Sequence, residues 1–150
     1  MPKVERRILT ALAQHGGSAT KRKVALLAGY AIGGGGFNNG LSSLRSAVRI
    51  EGSDPLRITD AGRQALGGYD PLPHGRALLE HWRAQLGKAE RAALDAIADA
   101  YPHAISKEQA AAKAGYEPNG GGWNNALSRL RTLELIEGRG ELQASAELFG

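Results

Sequence analysis

The chain has 150 residues, 42% of them apolar and 23% charged, enough for one ordinary core or two small ones and too apolar for disorder by composition. It contains no cysteine, which excludes disulfides, thiolate metal sites and cysteine nucleophiles, and no apolar run is long enough to cross a bilayer. The formal charge is +4 and unevenly spread: residues 1–68 hold ten Lys/Arg against four Asp/Glu, residues 69–150 nine against eleven, so a polyanion is drawn to the first half.

Residues 3–14 carry Val4, Ile8 and Leu12 at helical spacing and read as a first helix. The opening Met1-Pro2-Lys3-Val4-Glu5 does not read as a signal peptide. Thr20 is a cap residue before a second helix over 21–28, and Gly29 suits the left-handed position just past its end. A third helix carries Phe37, Leu41, Leu44 and Val48 on one stripe. Residues 49–51 read as a short strand, turning near Ser53-Asp54-Pro55 and returning through Leu56-Arg57-Ile58. Asp70-Pro71-Leu72-Pro73 is a stiff turn. Residues 75–86, with Leu78, Leu79, Trp82 and Leu86, read as a linking helix with an apolar face.

From residue 88 the pattern begins again. Gly34-Gly35-Gly36-Phe37-Asn38-Asn39-Gly40-Leu41-Ser42-Ser43-Leu44-Arg45 recurs 86 positions later as Gly120-Gly121-Gly122-Trp123-Asn124-Asn125-Ala126-Leu127-Ser128-Arg129-Leu130-Arg131. Lys3-Val4-Glu5-Arg6 matches Lys88-Ala89-Glu90-Arg91 at an offset of 85. The second copy therefore predicts helices over 88–100 and 107–114, the latter capped by Ser106 and closed by Gly115. A third helix bears Trp123, Leu127, Leu130 and Leu133, and a hairpin runs from 135–137 through Arg139-Gly140 to Leu142-Gln143-Ala144. Two diverged copies of one unit account for all of this. Trp82 is expected to pack as core between them.

Helix, helix, tight turn, helix and hairpin is the order of a winged helix-turn-helix. The stretch from Leu41 through Ile58-Thr59-Asp60-Ala61-Gly62-Arg63-Gln64-Ala65-Leu66 resembles the winged-helix DNA-binding superfamily, and "ITDAGRQAL" is similar to the segment after the wing in MarR-like regulators. A narrower likeness joins Leu72-Pro73, Trp82, "AGYEPNGGGWNNALSRLRTLELIEG" and the terminal "ASAELF" to the carboxy-terminal tails of HerA-type DNA-translocating ATPases. The chain has no Walker motif, so this likeness implies a tail and not the motor. The expected architecture is mainly α with small β-hairpin wings: unit 1 over 1–68, turn and linking helix over 69–87, unit 2 over 88–150. The resemblance implies binding of double-stranded DNA, as in transcription regulation, and a cytoplasmic, nucleoid-associated location. The alternative is a protein-interaction or dimerisation module of a larger DNA-processing or chromosome-organising complex, with unit 2 as the docking or self-association half. No membrane partner is expected.

The third helix of such a unit enters the major groove. Advancing about 100° per residue from Asn38, the direction opposite the apolar stripe falls on Asn39, Ser43 and Ser46, with Ser42 and Arg49 on its shoulder. The second copy offers Asn125, Arg129 and Thr132, with Ser128 beside them. Asn can read adenine and Arg guanine. Asn39, Asn125 and Arg129 are thus base-edge candidates, against a capping role after the glycine run. Asn38 and Asn124 are expected to be structural. Arg45 and Arg131 sit on a flank, where a salt bridge to Glu51 or Glu137, or one phosphate contact, is expected.

Glycine, at 21 residues, has about twice its usual share of roughly 7%. Gly35 and Gly36 let a helix start approach another backbone, a DNA phosphate or a neighbouring helix. Lys21, Arg22 and Lys23 match the place where the second helix crosses the sugar-phosphate backbone, or form an ordinary solvated face. Arg57 and Arg139 at the wings reach toward the minor groove or backbone, or stand as plain surface arginines. His15, His74, His81 and His103 lack ligand spacing, and no nucleophile stands near a histidine partner in sequence. Neither a metal, a cofactor nor an enzymatic activity is expected.

Overall fold

Thr20 and Ser106, with Gly29 and Gly115, set where the second helix of each repeat begins and ends. The structure is a computed structural model that describes residues 1–149. The chain divides into two compact units, Met1–Leu72 and Pro73–Gly150. The first contains α1 (Lys3–Gln14), β1 (Ser18–Ala19), α2 (Lys21–Ala28), α3 (Gly35–Ser46), β2 (Ile50–Glu51), β3 (Leu56–Ile58) and α4 (Asp60–Leu66). The second contains α5 (Arg76–Gln85), α6 (Lys88–Ala98), β4 (Ile105–Ser106), α7 (Lys107–Ala114), α8 (Gly121–Thr132), β5 (Ile136–Glu137) and β6 (Glu141–Ala144), then a 3-10 turn at Ala146–Leu148. From α1 to β3 the order of elements equals that from α6 to β6. The described chain is mainly helical with two small antiparallel three-stranded sheets, ordered β1-β3-β2 and β4-β6-β5.

Thr20 Oγ1 accepts the Lys23 amide at 3.1 Å to start α2, and Gly29 ends it at φ 83°. Ser106 and Gln109 form a reciprocal capping box on α7, which Gly115 ends at φ 81°. A left-handed residue there satisfies the last carbonyls at no steric cost to glycine. The short strands β1 and β4 have no periodicity to read. They exist because the returning hairpin strand pairs with them, Ser18 opposite Arg57 and Ser106 opposite Glu141.

Each unit closes over its own core. In unit 1, Ile8, Leu9 and Leu12 of α1 meet Val24, Phe37, Leu41, Leu44, Ile50 and Leu56, all at most 2% exposed. In unit 2 the same places are held by Leu94, Ile97, Trp123, Leu127, Leu130 and Leu142, each at most 1% exposed. The outer cover differs. The "ITDAGRQAL" segment closes β3 and becomes α4, whose Leu66 is buried. Thr59 Oγ1 accepts the Gly62 amide and donates to the Val48 carbonyl at 2.6 Å, and a Cβ at Gly62 would run into the Arg49 carbonyl oxygen. In unit 2 the cover is α5 and the 3-10 turn. Trp82 is buried, Arg83 forks onto Asp95 of α6 at 2.8 and 3.2 Å, and Arg91 caps the end of α5 through the carbonyls of Arg83 and Leu86.

The expected stripe on α3 needs one correction. Val48 is 64% exposed, lies beyond the helix and has φ 57°. Its counterpart is Glu134, at φ 62°, and not Leu133, which is buried. A left-handed residue is required there to turn the chain from helix into hairpin, whatever its side chain. Such a conformation costs a residue with a Cβ roughly 1–2 kcal/mol, less for Asn. Val48→Asn is therefore expected to raise the urea midpoint, by about 1 kcal/mol of stability. A lowered midpoint would show that the valine side chain makes a stabilising contact.

Candidate functional site

The face of α3 opposite its core stripe is polar and open. Asn39, Ser42, Ser43 and Ser46 are exposed, as the helical rotation predicts. Asn38 is turned back into the structure, where Nδ2 donates to the carbonyls of Gly34 at 3.0 Å and Ile32 at 3.3 Å. Asn124 does the same to Gly120 at 2.9 Å and Pro118 at 3.4 Å. These paired bonds fix the turn before each third helix, and leave Asn39 and Asn125 as the exposed amides.

The glycine runs separate into two kinds. Gly34 and Gly120 begin the helices, and a Cβ there would press on the carbonyls of Ala31 at 3.2 Å and Glu117 at 3.3 Å. Gly35, Gly36, Gly121 and Gly122 are exposed, and a Cβ on any of them would meet nothing within 4 Å. None has a positive φ. Close helix packing inside the unit is therefore not what keeps them small. Each leaves the backbone of its first turn freer in the unfolded chain than alanine would.

The hairpin turn and the start of α2 are tied together. Asp54 Oδ1 accepts the Lys21 amide at 3.1 Å, and in unit 2 the Gly140 carbonyl accepts the Lys107 amide at 2.9 Å. The third helix is clamped to the same hairpin: Arg45 Nε donates to the Gly52 carbonyl at 3.3 Å, and Arg131 Nε to Gly138 at 2.8 Å. This corrects the expected salt bridges to Glu51 and Glu137, because the guanidinium reaches the carbonyl that the left-handed glycine turns outward. Burial, and next the charge of Arg139, lower the Arg131 guanidinium from its ordinary value. Arg131 remains a cation, since arginine starts so high.

The basic residues of unit 1 do not all reach the surface. Arg22 and Arg57 are exposed, while Lys21 and Arg49 are half-buried. Lys23 is only 6% exposed, which removes it from the expected phosphate contacts: it sits on the inward side of the first turn of α2, beside the buried Val24. Arg7 is used structurally, reaching the Ala28 carbonyl at 3.4 Å and lying over the Tyr30 ring. Arg57 stands opposite Glu51 across the β2-β3 pair, so part of the hairpin's charge is offset locally.

In unit 2 the corresponding face is a cleft of about 400 Å³ lined by Ala89, Glu90, Gly122, Asn125, Ser128 and Arg129. Three residues picked from the sequence, Asn125, Ser128 and Arg129, thus come together. Arg129, a base-edge candidate from the sequence, is exposed but has Nη1 paired with Glu90 Oε1 at 3.0 Å. Glu90 has a side chain only 12% exposed, and it anchors the more exposed arginine. Arg139 is exposed at the turn of the hairpin.

Sequence reasoning missed the two glutamates. Glu5 and Glu90 stand at matching places in the aligned "KVER" and "KAER" segments, and that coincidence was the available signal. Among the described residues no group of three or more His, Asp or Glu is placed to hold a metal ion, and no helix is long and apolar enough to cross a membrane. Comparison with known proteins gives no matching family model, no matching curated protein and no matching solved structure.

Proposed function

We propose that the chain is a pair of winged helix-turn-helix units that binds duplex DNA without catalysis, chiefly through α3, the start of α2 and the hairpin of unit 1. The observation that carries this reading is the open first turn of α3. Gly35 and Gly36 are exposed, have ordinary backbone angles and touch nothing, yet leave the first turn freer in the unfolded chain than alanine would. Another backbone coming close from outside accounts for them, and a helix start offers unpaired amides to a phosphate. Asn39, Ser42 and Ser43 continue the same exposed face with groups suited to base edges. Arg22, Lys21, Arg49 and Arg57 supply positive charge around it.

The paired Arg129 and the acidic balance after residue 69 favour a different task for unit 2. There the reading is a docking surface for a protein, on this chain or on a larger DNA-processing assembly.

A titration with random-sequence duplex at several salt concentrations tests the proposal. Weak, sequence-tolerant binding is expected, with affinity falling steeply as salt rises by about 0.9 in log-log slope per phosphate contact. A flat dependence, or no binding at low salt, would leave unit 1 as a protein-interaction module as well.

A further inference from the structure

The two repeats carry a glutamate at the same place on their first helix, and only one of them has a cation to answer it. In unit 2, Glu90 receives Arg129 from α8 at 3.0 Å. In unit 1 the aligned residue is Glu5, 6% exposed, and the position of Arg129 is held by Ser43. Among the described residues Glu5 has no hydrogen-bond or ion-pair partner. The surroundings match closely. Val4 and Gly40 touch where Ala89 and Ala126 line the unit 2 cleft, a Cβ on Gly40 lying 3.1 Å from the Val4 methyls. Unit 1 pairs a larger residue on α1 with a glycine on α3 where unit 2 pairs two alanines.

We propose that unit 1 holds an open socket for a guanidinium, in which Glu5 receives an arginine side chain presented by a partner protein as Glu90 receives Arg129 within unit 2. Glu5 is covered over most of its surface, yet its carboxylate oxygens are not sealed from solvent, so a cation with matching hydrogen bonds can still reach them. The usual local partner is missing here. Glu5 is the third residue of α1, from which a glutamate can reach back to the N-cap amide, but the N-cap is Pro2, which has no N–H. The first-turn position does favour negative charge through the helix dipole, but an exposed glutamate gains that equally. Ser43, exposed on α3, holds the position from which Arg129 reaches Glu90 in unit 2, and it brings no charge to Glu5. Arginine is the fitting ligand because its planar fork matches a carboxylate with two parallel bonds. The attraction is local, since unit 1 as a whole is basic.

Two measurements on the whole chain test this. N-acetyl-arginine amide is titrated against the protein by NMR, with N-acetyl-citrulline amide and free arginine as controls. Saturable binding of the blocked arginine is expected at signals of α1 and α3, and not of the uncharged citrulline. Glu5→Gln and Ser43→Arg should each weaken it by at least about tenfold, the first by removing the negative charge and one of the two acceptor oxygens and the second by filling the socket from within. Tighter binding of free arginine than of the blocked amide would point to a metabolite site and overturn the protein partner. The second measurement is a double-mutant cycle in thermal stability. Ser43→Arg should raise the melting temperature of the parent and not of Glu5→Gln. Absence of saturable binding, equal binding by Glu5→Gln, or no coupling in the cycle would each overturn the proposal. Duplex titration does not involve Glu5, so its outcome is independent.

Discussion

Trp123→Ala is expected to lower the stability of the chain by about 3–5 kcal/mol, the range for deleting a large buried aromatic. The ring is 1% exposed, faces inward from the first turn of α8 and stacks on Tyr116 with centroids 5.8 Å apart. Replacement by alanine opens a cavity between α6, α7 and α8 that rigid helices cannot fill by moving. A small unit has only about 5–15 kcal/mol in all, so a large fraction is at stake. Trp123→Phe should behave differently. Among the described residues the buried indole Nε1 has no hydrogen-bond partner, and Phe37 already fills the same repeat position at 1% exposure. Losing an unsatisfied donor offsets part of the lost contact area, so a cost below about 1.5 kcal/mol is expected. Urea unfolding of both variants checks the pair. Equal losses would mean that the indole nitrogen finds a partner, such as a buried water.

Lys21→Ala, Arg22→Ala and Asn39→Ala together are expected to abolish duplex binding, while Asn125→Ala with Arg129→Ala only weakens it or alters its preference. Two cations near the start of α2 and one exposed amide on α3 disappear in the first set. If both cations contact phosphates, Lys21→Ala with Arg22→Ala alone should lower the log-log salt slope by about 1.8. The second set removes an arginine already held by Glu90, so little free charge is lost. Melting curves are the necessary control, since Arg129→Ala leaves the mostly buried Glu90 without its partner. Fluorescence anisotropy on both sets decides the matter. Greater damage from the second set would mean that Arg129 leaves Glu90 to read bases, and that the charge difference between the halves does not divide the work.

Much of the architecture was legible in the sequence, because it rests on local rules. Caps at Thr20 and Ser106, left-handed glycines at 29 and 115, and apolar residues at helical spacing fix the helices before any tertiary contact forms. The internal repeat then fixes that the succession occurs twice. The exposed face of α3 followed from rotation alone, as did the inward turn of Asn38 and Asn124. Tertiary structure decided what depends on neighbours distant in sequence. β1 and β4 are strands only because a returning hairpin pairs with them. Val48 leaves the stripe because the chain must turn there, a demand set by the sheet and not by hydropathy. Lys23 is a surface residue by type and a buried one by position. Rotation placed Arg129 on the open face, but only tertiary structure brings Glu90 of α6 within 3.0 Å of it across 39 residues. Spacing along one helix reports which way a side chain points, but charge and burial depend on what another element places in front of it.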